Sequence, residues 1–328
     1  MPGPKAPRVA LPRFLLDDHR EELHEAACSR AELLAADDPR LRDEIPGSLE
    51  VIVTGMDGAV FDHLLSGPGV RWVHSTSAGV EHLPLSLMAE RGIVLTNSAG
   101  AYATAMAEYA LGAALMMARG FPTWLEAQRE RRWLRDGRPQ LVEMRGKRMG
   151  IIGYGAVGRE VAAGARALGM EVWATKRTPI FTSGEPLDRL LPANGLHELL
   201  SACDVIALCA SLNRTTRHLI GEAELRVMRP TAVLVNVARG GLVDEDALMR
   251  SLREGRLRGA ALDVTQEEPL SAESPLWTAP NLIVTPHVSG DATESWPRTV
   301  GFLCQNLRLF LEGRPEGMGN IVDYRAVL

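Results

Sequence analysis

From residue 149 onward, short apolar runs alternate with amphipathic stretches, the runs falling at 149–153, 171–175, 204–209, 232–237, 259–264 and 281–285. Unbroken apolar runs suit strands buried on both faces, and the stretches between them suit crossover helices, so the pattern predicts a parallel sheet. Between the first two runs Val157, Val161, Ala165 and Leu168 recur at helical spacing, and Gly169 stands where the helix should stop. Strand, glycine loop, helix and strand make a βαβ unit. The first hundred residues repeat the rhythm more weakly, at 51–54, 70–74 and 93–96, which predicts a smaller α/β domain. Residues 101–119, rich in Ala, Leu and Met with Glu108 as their only acid, predict a buried helix connecting the domains. A last helix is predicted over 296–313, where Val300, Leu303, Leu307 and Phe310 share a face; it begins near Pro297, ends at Gly-Arg-Pro and returns the chain to the first domain.

Composition narrows the class of partner. In 328 residues of 46% hydrophobic content there is material for two cores, and a net charge of −5 leaves no positive excess for a phosphate backbone. Small-molecule partners are expected, not nucleic acid. Four cysteines without CxxC or Cys/His spacing indicate neither a metal site nor a disulfide framework, and Cys203 and Cys209, flanking an apolar run, are expected as buried thiols. With no apolar stretch of signal-peptide or membrane-spanning length, a cytoplasmic protein without membrane contact is expected. The five arginines of 129–138 suit a solvated face or turn, and Trp124 and Trp133 suit packing or a subunit interface.

Gly153-Tyr154-Gly155-Ala156-Val157-Gly158 lies between the first strand and its helix. Glycines at this spacing permit a tight turn, close backbone approach to a pyrophosphate, and close packing of helix on strand, while the helix N-terminus offers free N–H groups to the anion. A nicotinamide dinucleotide is the expected cofactor. NAD-selective sites place an acid about 20 residues after the first glycine, at the ribose hydroxyls. Here the second strand ends Ala174-Thr175-Lys176-Arg177-Thr178, and Glu171 comes too early. Two cations suit a 2′-phosphate, so Lys176 and Arg177 predict preference for NADP(H) over NAD(H).

Three segments at the C-terminal ends of later strands carry polar residues that a sheet core does not need: Asn236-Val237-Ala238-Arg239-Gly240-Gly241, Asp263-Val264-Thr265-Gln266-Glu267-Glu268-Pro269 and Thr285-Pro286-His287. That edge is where open α/β sheets bind ligands. With the Ser77-Ala78-Gly79-Val80 loop and the closing GNIVD, these segments give the chain a resemblance, over nearly its whole length, to the D-isomer-specific 2-hydroxyacid dehydrogenases, the family of glyoxylate/hydroxypyruvate reductases and phosphoglycerate dehydrogenases. The resemblance implies a Rossmann doubly wound sheet plus a smaller flavodoxin-like α/β substrate domain with a cleft between them. Residues 1–100 and 290–328 would form the substrate domain and 101–289 the dinucleotide-binding domain. It also implies a homodimer.

By the same resemblance Arg239, Glu268 and His287 are the catalytic trio. Reducing a 2-oxoacid needs a proton for the carbonyl oxygen, which an imidazole can supply near neutral pH, and a grip on the carboxylate, which a guanidinium fork can supply. Glu268, bonded to the other ring nitrogen, would fix the tautomer and favour the imidazolium; its choice over Glu267 rests on the resemblance alone. Asp263 aligns with an acceptor for the nicotinamide carboxamide, or else is a strand-end acid. Thr104 aligns with a cofactor contact, or else bonds its own helix. The N–H groups of Ala78 and Gly79 align with a carboxylate cradle across the cleft. The expected activity is reduction of glyoxylate, hydroxypyruvate or a similar 2-oxoacid. A D-3-phosphoglycerate dehydrogenase and a dinucleotide-sensing corepressor-like module are the alternatives, and Glu268 argues against a formate dehydrogenase, which pairs its His with Gln.

Overall fold

A computed structural model describes residues 6–41, 47–180 and 183–327. The chain divides into two compact units, Met1–Tyr102 with Ala292–Leu328, and Ala103–Asp291.

In the first unit five parallel strands, β1 (Arg8–Leu11), β2 (Glu32–Ala35), β3 (Leu49–Val53), β4 (Trp72–His74) and β5 (Val94–Thr96), lie in the order β2-β1-β3-β4-β5. This is the flavodoxin-like order, with its switch point between β1 and β3. Side chains alternate across the sheet as a period of two requires. Val9, Leu11, Val51, Val53 and Trp72 face the Arg20–Ala27 and Ser295–Leu311 helices, while Ala10, Ile52, Val73 and Leu95 face the layer of Gly58–Leu65 and Leu85–Glu90. Ser295–Leu311 contributes Val300, Leu303, Cys304, Leu307 and Phe310 to that core. Pro297 is tolerated in its first turn, where a backbone N–H has no intrahelical acceptor. The chain then runs antiparallel past β5, with Thr96 bridged to Ile321 and Val322 N–H donating to Leu95 O at 2.8 Å, which covers that sheet edge.

The second unit holds seven parallel strands: β6 (Arg148–Ile152), β7 (Glu171–Lys176), β8 (Arg189–Pro192), β9 (Val205–Leu208), β10 (Val233–Asn236), β11 (Gly259–Leu262) and β12 (Leu282–Val284). Their order, β12-β11-β10-β9-β6-β7-β8, is doubly wound, and the switch point falls between β6 and β9, beside the glycine loop. The Ala103–Ala118 helix packs its small residues on the Ala156–Ala167 helix; a Cβ on Gly164 would lie 2.3 Å from Leu111 Cδ1. The alanine-rich composition of 101–119 thus serves close helix packing within this unit. Burial pushes the Cys203 and Cys209 thiols up to about 12.

Trp133, expected in packing or at a subunit interface, is 87% exposed on the irregular stretch that follows the Phe121–Arg129 helix, so among the described residues it packs into no core. Trp124 is half-buried, its indole N–H donating to Arg119 O at 2.7 Å. Among the described residues no helix is long and apolar enough to cross a membrane.

Candidate active site

The strand-to-helix turn after β6 shows what each glycine does. Gly153 has φ +98°, and a Cβ there would lie 2.6 Å from Ala210 backbone; at Gly158 it would lie 2.4 Å from Gly153 O. Both are dictated by the protein's own packing. Gly155 differs: among the described residues a Cβ there would meet nothing within 4 Å, so no contact with them calls for glycine. It caps the Ala156–Ala167 helix without a side-chain acceptor, and no acceptor among the described residues takes the N–H groups of Ala156, Val157 or Gly158. Open space before bare helical N–H groups fits a dinucleotide pyrophosphate. Tyr154 is 2% exposed and belongs to the core, so it can serve the loop only through its backbone.

At the end of β7, Lys176 is half-buried and Arg177 exposed, and neither side chain is engaged in an ion pair or hydrogen bond among the described residues. Thr104 sits in the first turn of the Ala103–Ala118 helix, half-buried, and its hydroxyl makes no hydrogen bond among the described residues.

The ends of β10, β11 and β12 bring the three polar segments together. Buried Asn236, the last residue of β10, shapes the turn that carries Arg239: its amide donates to Arg239 O at 2.9 Å and its Oδ1 accepts Ala238 N–H at 3.1 Å. Arg239 is half-buried, with Nη1 donating to Ala238 O at 2.7 Å. Gly240 then lies so close to the next segment that a Cβ would sit 2.0 Å from Thr265 O. That segment turns back through Glu268, whose Oε1 accepts Thr265 N–H at 3.0 Å. Its Oε2 lies 2.7 Å from His287 Nδ1. An ionised carboxylate only accepts, so Nδ1 carries the hydrogen and Nε2 is left for a second partner. Glu267 is exposed, and its carbonyl takes the Thr265 hydroxyl at 2.7 Å.

His287 stands at φ +57°, a strained conformation for a residue with a Cβ. Asp263 holds it there. The Asp263 carbonyl accepts His287 N–H at 2.7 Å, and its carboxylate, 1% exposed, accepts the Thr285 hydroxyl at 2.6 Å and the N–H groups of Val288 and Ser289 at 2.9 and 2.8 Å. The acid singled out for a cofactor contact is therefore first the clamp of the His287 turn. Thr285 is also 2.6 Å from the Tyr109 hydroxyl, whose proton burial makes harder to lose. Tyr109 was not singled out, because an aromatic inside an apolar helix reads as core.

In the first unit, four consecutive carbonyls after β4 are held by protein donors. Ser75 O takes Ser98 Oγ–H at 2.9 Å, Thr76 O takes the Tyr102 hydroxyl at 2.6 Å, Ser77 O takes Ser98 N–H at 3.1 Å, and Ala78 O takes the Asn97 amide at 2.7 Å. No acceptor among the described residues takes the N–H groups of Ala78 or Gly79. A loop with its carbonyls tied back and its N–H groups bare is built for an anion.

A doubly wound sheet with a glycine loop at its switch point, and a carboxylate-held histidine at the same strand edge, defines a nicotinamide-dinucleotide oxidoreductase. Residues 111–289 match the model of the NAD-binding domain of D-isomer-specific 2-hydroxyacid dehydrogenases. A glyoxylate reductase from Aeropyrum pernix is 35% identical over 264 residues, 77% of this chain and 77% of that protein. The crystal structure of a D-isomer-specific 2-hydroxyacid dehydrogenase family protein from Aeromonas salmonicida superimposes with a TM-score of 0.84 at 29% identity, covering 98% of this chain and 100% of that one. That of a D-isomer-specific 2-hydroxyacid dehydrogenase from Xanthobacter autotrophicus, in complex with NADPH and MES, gives 0.80 at 26% identity, covering 98% and 99%. The chain belongs to the D-isomer-specific 2-hydroxyacid dehydrogenase family and is an oxidoreductase acting on CH–OH donors.

Proposed function

We propose that the chain reduces small 2-oxoacids such as glyoxylate or hydroxypyruvate with NADPH in preference to NADH, oxidises D-2-hydroxyacids in reverse, and works as a homodimer. The observation that carries the reading is the 2.7 Å contact between Glu268 Oε2 and His287 Nδ1, which leaves Nε2 as the one ring nitrogen open to a substrate oxygen. A bound nicotinamide supplies the hydride. His287 gives its Nε2 proton to the carbonyl oxygen as that oxygen gains charge, and Glu268 stabilises the cationic ring before the transfer. Arg239 grips the substrate carboxylate and polarises the carbonyl. The Ala78 and Gly79 N–H groups are assigned to the same carboxylate. The helix N-terminus at Ala156–Gly158 takes the pyrophosphate, Lys176 and Arg177 the 2′-phosphate, and Thr104 lies on the cofactor's path. Asp263 keeps the carboxamide contact through Oδ2, which among the described residues accepts a single donor, Ser289 N–H.

Preference for NADP(H) is supported by Lys176, which ends β7, and Arg177, which follows it, both unengaged among the described residues, and by the NADPH bound to the Xanthobacter relative. The exposed indole of Trp133 supports the homodimer, since an aromatic of this size is seldom left in water.

Kinetics of variants test the assignment. His287→Ala is expected to lower kcat by roughly 10²–10⁴-fold, the usual contribution of a positioned proton donor, with NADPH affinity unchanged. Arg239→Ala should raise KM as well as lower kcat. Near-parental kinetics in both would remove the site from these residues.

A further inference from the structure

The buried polar residues behind the Ser75–Gly79 loop form a chain whose hydrogen-bond directions are fixed at both ends. Trp72 Nε1, which only donates, lies 2.9 Å from Thr96 Oγ1. Thr96 Oγ1 lies 2.8 Å from His74 Nδ1, and His74 Nε2 lies 3.3 Å from Ser98 Oγ. Ser98 Oγ is 2.9 Å from Ser75 O, which only accepts. The single hydroxyl hydrogen of Ser98 goes to that carbonyl, so Ser98 must accept from His74, and Nε2 carries the ring hydrogen. Trp72, His74, Thr96 and Ser98 are each fully buried, and burial pushes the imidazole down to about 4. The ring is neutral at physiological pH, so Nδ1 is an acceptor and Thr96 donates to it.

Ser98 therefore grips the loop twice, at Ser75 O through its hydroxyl and at Ser77 O through its backbone N–H. Its neighbour Asn97 holds Ala78 O, and Asn97 N–H in turn donates to Asn320 O at 3.1 Å on the returning C-terminal segment.

We propose that His74 is a positioning residue for substrate: held between Thr96 and Ser98, its ring sets the orientation of Ser98, and through it keeps the Ala78 and Gly79 N–H groups turned outward to a substrate carboxylate. A buried histidine costs stability that a leucine would not, and a strand end packed in an apolar core does not call for one. The proposal rests on assigning the loop to the substrate's carboxylate.

The test is steady-state reduction of glyoxylate by NADPH in the parent chain and in Ser98→Ala, His74→Leu and His74→Gln, with NADPH affinity and melting temperature measured alongside. Ser98→Ala and His74→Leu should raise KM for glyoxylate roughly tenfold, the worth of about one hydrogen bond of positioning, with kcat within about twofold and NADPH affinity unmoved. His74→Gln keeps one donor and one acceptor and should return KM to within about threefold of the parent. Parental KM in both Ser98→Ala and His74→Leu overturns the role of His74 while leaving the substrate assignment standing. So does a common fall in kcat and melting temperature that Gln does not rescue. A parent chain that turns over no 2-oxoacid overturns both together.

Discussion

His74 and His287 show how far one residue type diverges with its surroundings. His287 faces a carboxylate at 2.7 Å with its side chain 49% exposed, whereas His74 is wholly buried among neutral hydroxyls. His74 has its folded pKa at about 4, below the ordinary histidine value, so as pH falls the unfolded chain takes up a proton first. Its contribution to stability is present above about pH 6.5 and is lost between there and about pH 4, by about 3 kcal/mol in all. Chemical denaturation across that range should show the parent losing stability relative to His74→Gln; parallel curves would refute the buried neutral ring. None of this was visible in the sequence, where His74 closes an ordinary apolar run. The network depends on the register that sets His74 beside Thr96, a pairing across distant segments. Glu268 presents the same difficulty in miniature. Residue types cannot choose between two adjacent glutamates, and only the turn that brings Thr265 N–H onto Glu268 Oε1 shows which one reaches His287.

The strands of the second unit were legible because strands covered on both faces read as unbroken apolar runs. β1, β2 and β8 were not. β1 and β2 are four residues each and open on Arg8 and Glu32, which pair with one another at 2.7 Å across the ladder, so too few apolar positions remain for a period to register. β8 ends in Pro192, a residue that argues against a strand except at a sheet edge, and the edge is where β8 lies. The glycine loop was legible as a motif, but the division of labour within it was not. Gly158→Ala should destabilise the fold, because its Cβ would meet Gly153 O at 2.4 Å, whereas Gly155→Val should leave the melting temperature near the parent's and weaken NADPH binding at least tenfold. Thermal melting and cofactor titration of the two variants check this, and Gly155→Val with parental NADPH affinity would contradict it.

The two units pose different tasks: the second offers a helix N-terminus, two cations and the held histidine, and the first offers a loop of bare N–H groups. Under the proposed function, the cofactor's adenosine end meets the end of β7. The Lys176→Ala/Arg177→Ala double variant should lose NADPH affinity by about tenfold or more, as expected for two charge-assisted phosphate contacts, with little change for NADH; unaltered NADPH affinity would remove the preference. Family membership fixes the reaction class. Substrate side-chain selectivity was not legible, because residue types alone do not show which side chains stand beside a bound substrate. The most direct test of the whole account is the initial rate of reduction of glyoxylate, hydroxypyruvate and larger 2-oxoacids by the intact chain, with NADPH and NADH in parallel. Turnover of the small 2-oxoacids with a higher kcat/KM for NADPH is the predicted result, and tight NADPH binding without turnover of any of them, or equal efficiency with NADH, would contradict it.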